Sequence, residues 1–536
     1  MRARNVAIVS LAAGLGLPLL LTGPAVSAAS SHPSFKTTLL SQSSGRSEPR
    51  VTVTPDGTRY VDTNAADGTE VVYGSRDGKS WSRVAGVPPM QTQPTTDVDI
   101  VATRTGRLIA SELDFSGINF ITAYSDDKGK TWKPSVGQTF ADTDRQWFAV
   151  GPDDPTTHQP RVYLLFHNLL SGVLSHNMFV STSTDGGATF GPPVPVATPP
   201  QQDWLDLQCA DSGGPSNIFY DKKTNRVFVV FGTRSSPVGG CAAQPTEVNV
   251  VAANRVWVVA APADSTQLPT SWTPHPAVND TGVGGAASHI VGMQLAPGTS
   301  DTAGNVYVAY PESIHDYPNY DGGAIKVVHA SAGNLDHWSA PSTVVAAGGP
   351  GSVLPHIVAG APGEVDVAYY RGLRVGNELT WRSMAAQSLD ALSKSPHWTT
   401  VQLSSVPAEP NQTASQLMGA CMQGQQATLN GFACDRAADV YGIALDKCGS
   451  LLVTWPAQAR QPTDGTYVSQ QVGGPTLGLC RAAAATRRSS GSPGVGSTTG
   501  RTTGTGALAG TGMSAWLPAG GLAVLVVAGL LRRRAR

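Results

Sequence analysis

Charge is what this chain of 536 residues has least of: Asp, Glu, Lys and Arg make up only 14% of it, and 37 basic against 38 acidic side chains leave a net charge of −1. With no basic excess, and no basic stripe in the middle of the chain, it lacks the electrostatic footprint of a nucleic-acid binder. Cysteine is sparse, six in all, and none stands in Cys-x-x-Cys spacing, which argues against a structural zinc module. Neither His-x-x-x-His nor Gly-x-Ser-x-Gly appears in a strand-to-helix setting, so metalloprotease and serine-hydrolase chemistry are not indicated. Asp97 and Asp99 flank Val98, but two carboxylates are too few for a calcium site, and neither metal nor cofactor is expected. Long apolar runs are confined to the two ends.

Glycine (59) and proline (39) are abundant, which suits many short strands and turns rather than long helices. Among them a short pattern repeats. Ser125 to Trp132 reads Ser-Asp-Asp-Lys-Gly-Lys-Thr-Trp, and Ser183 to Phe190 reads Ser-Thr-Asp-Gly-Gly-Ala-Thr-Phe. Both fit Ser-x-Asp-x-Gly-x-Thr-aromatic: the Ser and Asp oxygens accept backbone N–H bonds inside a tight turn, and Gly supplies a positive φ. The closing aromatic must be buried to offset the ordering of the loop, so it is expected to pack between neighbouring sheets. A shortened copy runs from Ser75 to Trp81, and a decayed one from Ser331 keeps only its first Ser and Trp338.

These boxes resemble those of the Asp-box (BNR-repeat) β-propellers, of which the sialidases are the best-known enzymes. The resemblance implies that each box joins the third and fourth strands of a blade, on the rim away from the ligand face. It therefore speaks to fold and not to chemistry. A second repeat, an apolar strand, a turn and another apolar strand, recurs seven times. The pairs begin at Arg50, Asp99, Gln146, Asn217, His289, His356 and Val440. Each reads as the inner half of a four-stranded blade. The expected fold is an all-β, six- or seven-bladed propeller over 34–480; sialidases have six blades, so seven pairs mean either one insertion or a sialidase-like branch. Blade four, boxless and with a Cys-bearing insertion from Ser235 to Thr246, is the one in question. The last blade lacks a strand after Tyr467 to Val472, and Ser34 to Gln42 is a spare one expected to close the ring.

The ends carry addresses. Met1 to Arg4 is basic, Val6 to Leu21 is a short apolar run, and Val26-Ser27-Ala28 offers a cleavage site, so 1–28 reads as an export signal. An even number of cysteines in an exported chain makes disulfides the default; pairing in order (Cys209 with Cys241, Cys421 with Cys434, Cys448 with Cys480) is one of the fifteen connectivities six cysteines allow. Residues 481–507, rich in Gly, Ser, Thr and Ala, read as a flexible tether. In 508–536, Leu508-Ala509-Gly510-Thr511-Gly512, an apolar span from Met513 to Leu531 and a basic tail together resemble a sortase sorting signal. That resemblance implies cleavage between Thr511 and Gly512, with sortase and cell-wall peptidoglycan as partners and the span holding the precursor in the membrane. An uncut single-pass anchor is the alternative.

If the boxes lie on one face, the starts of the inner strands and the loops between second and third strands open on the other. Candidate ligand contacts there are Arg145, Gln146, His289, His356 and the loop from Pro311 to Asp321, which gathers carboxylates, His315, Tyr317 and Tyr320. Aromatics beside carboxylates and amides suit sugar, so a glycan is the expected partner. The sialidase resemblance implies an arginine triad, a tyrosine nucleophile supported by glutamate, and an aspartic acid. Arg145, Arg371 and Arg436 are the candidate clamp, Tyr317 or Tyr320 the nucleophile, Glu312 its support, and Asp99 or Asp114 the acid. Sialidases place an Arg-Ile-Pro motif ahead of the first box, whereas this chain has Glu48-Pro49-Arg50-Val51-Thr52 there. A surface-anchored glycan-binding propeller is thus the leading expectation, with an exo-sialidase and a protein-binding module as alternatives.

Overall fold

A computed structural model describes residues 32–45, 47–89, 94–114, 120–137, 143–168, 177–208, 215–233, 252–263, 272–279, 290–291, 296–313, 323–331, 333–376, 378–410, 442–457 and 464–480. The chain divides into a unit Met1–Thr486 and a unit Arg487–Arg536. The second, with the sorting signal, lies outside the described residues, as do the export signal and the tether. Among the described residues no helix is long and apolar enough to cross a membrane.

Seven antiparallel sheets make a seven-bladed β-propeller. Blade 1 shows the plan: Arg50–Val53, Arg59–Asn64, Glu70–Ser75 and Ser82–Arg83 follow one another outward from the centre. Seven apolar clusters of buried residues occupy the seven junctions between neighbouring blades. Trp381 of blade 6 meets Trp455 of blade 7, for example, and Phe228 of blade 4 meets Tyr310 of blade 5. Because both faces of every sheet are covered, the strands read as near-continuous apolar runs, and the hydrophobic gain is shared around the ring.

The ring closes as expected. Ser34–Leu39 pairs antiparallel with the third strand of blade 7, Gly465–Gly473, with Thr37 opposite Ser469 and Leu39 opposite Tyr467. The two hydroxyls of Thr37 and Ser469 lie 2.8 Å apart. Joining the first strand to the last three makes opening of the ring a loss of a whole blade edge.

The boxes behave mechanically as their residues require. In blade 2, Ser125 Oγ accepts the Gly129 N–H at 2.9 Å, and Asp127 accepts the N–H and hydroxyl of Thr131 at 2.8 and 2.7 Å. Ser183 and Asp185 repeat this in blade 3, and Ser75 and Asp77 hold the shortened turn of blade 1. A further box went unread in the sequence: Ser388 and Asp390 of blade 6 make the same contacts, but the acceptor Asp390 reaches His397 N across a longer loop. The aromatics plug the junction with the preceding blade. Phe190 lies in the cluster between blades 2 and 3, Trp132 packs on that between 1 and 2, and Trp81 on that between 7 and 1.

Two expectations resolve differently. Blade four is complete, with strands Pro215–Asp221, Arg226–Thr233, Arg255–Pro262 and Thr273–Asn279. In blade five the innermost position is shared: Gly298–Ser300 pairs with Val306–Val308, and Ile290 of the expected run pairs with Glu312 farther along the same strand, while Ile290–Val291 also pairs with Ala252–Ala253. Space constrains residue 298. A Cβ at residue 298 would fall 2.8 Å from Val230 Cγ2 and 3.0 Å from the Phe219 ring, so blade 4 admits a glycine there. A disulfide joins Cys448 to Cys480, tying the first turn of blade 7 to the segment after its last inner strand. Cys209, Cys241, Cys421 and Cys434 lie outside the described residues.

Candidate functional site

The inner strands of all seven blades line one cavity of about 260 Å³ in the centre of the ring. Its wall includes Arg50 and Thr52 from blade 1, Asp99 from blade 2, Trp147 from blade 3, Asn217 from blade 4, Thr299 from blade 5, His356 from blade 6 and Gly442 from blade 7. These residues lie along the inner strands: Arg50 opens Arg50–Val53, whereas Asp99 is the sixth residue of Pro94–Ala102 and Trp147 the fifth of Thr143–Asp153.

Arg50 is the centre of the arrangement. Its guanidinium carbon lies 4.0 Å over the Trp147 ring, and its Nε is 3.6 Å from Asp99 Oδ1. The indole face attracts the guanidinium, and the carboxylate compensates its charge without reaching hydrogen-bond distance. Among the described residues nothing accepts a hydrogen bond from that buried Nε. Asp99 in turn accepts the N–H of Ile100 at 3.0 Å and that of Phe148 at 2.7 Å, so it ties blade 2 to blade 3. Burial pushes the Arg50 guanidinium below its ordinary value, and Asp99, Glu48 and Asp97 oppose that while Arg145 adds to it. Burial likewise pushes Asp99 up, against the pull of Arg50. His356 is driven down to about 3 by burial and by Arg50, so its imidazole is neutral at any physiological pH.

Asn217 and Gly442 are in the wall for structural reasons. The Asn217 amide donates to Gly298 O at 2.7 Å and accepts from Gly298 N at 2.9 Å, clamping blade 5 to blade 4. A Cβ at Gly442 would come within 2.5 Å of Thr454 Oγ1 and 2.6 Å of Val51 N, where blade 7 meets blade 1.

A second polar cluster stands at the head of blade 3. The inner strand there is bulged between Asp144 and Trp147, and Arg145 between them has φ 59°, the left-handed region that a branched or long side chain enters only under constraint. Leu354 repeats this at the head of blade 6, with φ 52° and a bulge between Val353 and His356. The bulge turns the chain so that Asp144 Oδ2 lies 3.5 Å from His167 Nε2 and 3.8 Å from Arg145 Nε. Burial raises the Asp144 carboxyl, but His167 and Arg145 outweigh it and hold the group below the usual carboxylate range.

Behind Arg50, between blades 1 and 2, the apolar cluster is the smallest of the ring, with Tyr60, Val72, Ile100 and Leu108 fully buried. Asp62, opposite Arg50 in the strand register, shares that junction with Glu70 and Glu112, all three buried. Burial first, with Glu112 adding its charge to both and Glu70 acting on Asp62, lifts Asp62 and Glu70 well above their ordinary values.

Of the residues singled out in the sequence, Asp99 and His356 are in the cavity wall. Gln146 is buried beside it and donates to Asp97 O at 2.9 Å, while Arg145 belongs to the blade 3 cluster. Arg371 is in the second strand of blade 6, opposite Ser352 and Arg382. Glu312 ends the second strand of blade 5 and pairs with Lys326 at 3.3 Å, and Asp114 ends that of blade 2 opposite Pro94. His289, His315, Tyr317, Tyr320 and Arg436 lie outside the described residues. Among the described residues Arg50 alone supplies a guanidinium to the cavity wall. Sequence reasoning passed over Trp147, although an indole in an innermost strand is a signal that could have found it.

No family model matches the chain, and no curated protein does. Several solved structures are similar to it. One is an ulvan lyase, a polysaccharide lyase, at 13% identity over 84% of this chain and 99% of that one, with a TM-score of 0.49. Another is an α-L-arabinofuranosidase from Fusarium graminearum, at 12% identity over 70% and 98%, TM-score 0.40. A third is a lectin of Aleuria aurantia in complex with a fucosylated sugar, at 10% identity over 68% and 96%, TM-score 0.38. At these identities and scores the likenesses carry no argument about the chemistry of this chain.

Proposed function

We propose that this chain is an exported, cell-surface-anchored β-propeller that binds a glycan end-group in its central cavity. The observation that carries the reading is Arg50: a guanidinium 4.0 Å over the Trp147 ring and beside the Asp99 carboxylate, in the wall of a cavity of about 260 Å³. Threonines 52 and 299, Ser216 and neutral His356 complete a polar wall. A hydroxyl-rich ring supplies both donors and acceptors to such a wall, and the volume suits one sugar rather than a chain. Export and anchoring are supported by the apolar run and cleavage site at the start and by Leu508 to Gly512 with its apolar span and basic tail.

The test is a glycan array probed with the protein from Ala29 to Arg481, beside its Arg50→Gln variant. Retained binding in a folded variant, or no binding by the parent, would remove the reading. A second reading, an exo-sialidase, is favoured by one fact: Arg50 opens the first inner strand ahead of the first box, the region where the resemblance expects the first clamp arginine, although Pro49-Arg50-Val51 stands there in place of Arg-Ile-Pro. Hydrolysis of a fluorogenic sialoside that disappears in the Tyr317→Phe, Tyr320→Phe double variant would establish it.

A further inference from the structure

We propose that the sugar accepted by the central cavity is an uncharged one, and that Asp99 is the residue that excludes acidic sugars. This rests on the glycan-binding reading above and deepens it. An arginine recognises a carboxylate well only when its own charge is available. That of Arg50 is not. Asp99 Oδ1 is 3.6 Å from its Nε, and Glu48 and Asp97, whose backbones bridge blades 1 and 2, also act on it. Arg145, the other guanidinium near enough to be felt, has Asp144 beside it at 3.8 Å. His356, two blades round the wall, is neutral. Among the described residues three carboxylates and one other guanidinium act on Arg50, and a uronate or sialate carboxylate entering the cavity meets a field of its own sign.

For a neutral sugar the same arrangement is an advantage. The guanidinium N–H groups remain donors whatever their charge compensation, and the Asp99 carboxylate beside them is an acceptor, so a pair of adjacent hydroxyls can take one of each. Trp147 packs against the guanidinium, and the Phe148 and Ile100 N–H groups hold the carboxylate, so little ordering remains to be done when the sugar enters.

The purified full chain decides this by titration calorimetry and saturation-transfer NMR with two sets of probes. The neutral set is the methyl glycosides of glucose, galactose, mannose and fucose; the acidic set is methyl glucuronide and N-acetylneuraminic acid. At least one neutral glycoside is expected to bind about tenfold or more tightly than its acidic counterpart. Asp99→Asn keeps an acceptor for Phe148 N–H but removes the opposing charge. It is expected to raise affinity for the acidic probes by about tenfold or more and to lower it for the neutral ones. An acidic probe that binds the parent as well as a neutral one overturns the inference and leaves the glycan reading standing, as does an Asp99→Asn variant with an unchanged preference. If no probe of either set binds the folded chain, both fall.

Discussion

Asp366 offers a direct test of how this ring tolerates buried acids. It lies in the second strand of blade 6, opposite Val358 and Gln387, with 1% of its surface exposed. Burial pushes its carboxyl up to about 8, Gln387 working against the shift and Glu364 adding to it. A carboxyl raised in the folded state binds a proton that the unfolded chain has already released. Its contribution to stability is whole below the ordinary carboxylate range near 3.8 and is lost as pH rises through about 8. Over that window one proton is at stake, worth about 1.4 kcal/mol per pH unit, or roughly 2.5 kcal/mol between pH 6 and pH 8. In Asp366→Asn the uncharged amide takes the place of the protonated acid, and this part of the pH dependence disappears. Scanning calorimetry of parent and variant at pH 6, 7 and 8 reads it directly: the variant should gain on the parent at each step, by a few degrees over the whole range. Parallel profiles would mean that Asp366 is already ionised at neutral pH and that the junction of blades 6 and 7 is wetter than its packing implies.

Asp62 and Glu70 predict a slope of the same sign at the junction of blades 1 and 2, so Glu70→Gln should flatten the loss of stability above neutral pH, measured in the same scans, and leave the box turns untouched. Replacing Cys448 and Cys480 by serine opens a loop closed over a sequence separation of 32, and should cost about 3.5 kcal/mol in denaturant titrations. Removal of Ser34–Leu39 takes the outer strand from blade 7 and should abolish the cooperative thermal transition; a truncated chain that melts as the parent does would show that the strand pairing is dispensable. Asp127→Ala in the blade 2 box removes the acceptor for both groups of Thr131 and should lower the melting temperature while leaving the proposed glycan binding unchanged, since no residue of the box lines the cavity.

The sequence alone determined the fold. Period-2 runs separated by Gly and Asp turns mark the strands, the Ser-x-Asp-x-Gly boxes mark the blade edges, and the spare strand at Ser34 matches the missing one in blade 7. Such features are local: each turn carries its own hydrogen-bonding residues, so its geometry is legible in a few positions. Where the local signal was stretched, as in the longer box after Ser388, the reading missed the box, and at His289 an apolar run drew it past Gly298–Ser300, which shares the innermost position. The site was legible only in outline. The residues at the strand starts could be named, and Asp99 and His356 are in the cavity wall, but nothing local says that Arg50 lies over Trp147 or near Asp99. Those three residues come from three blades, 49 and 48 positions apart along the chain, and only closure of the ring brings them together. Charge compensation follows from that closure, because a carboxylate acts on a guanidinium through distance in space, and sequence separation carries no information about it.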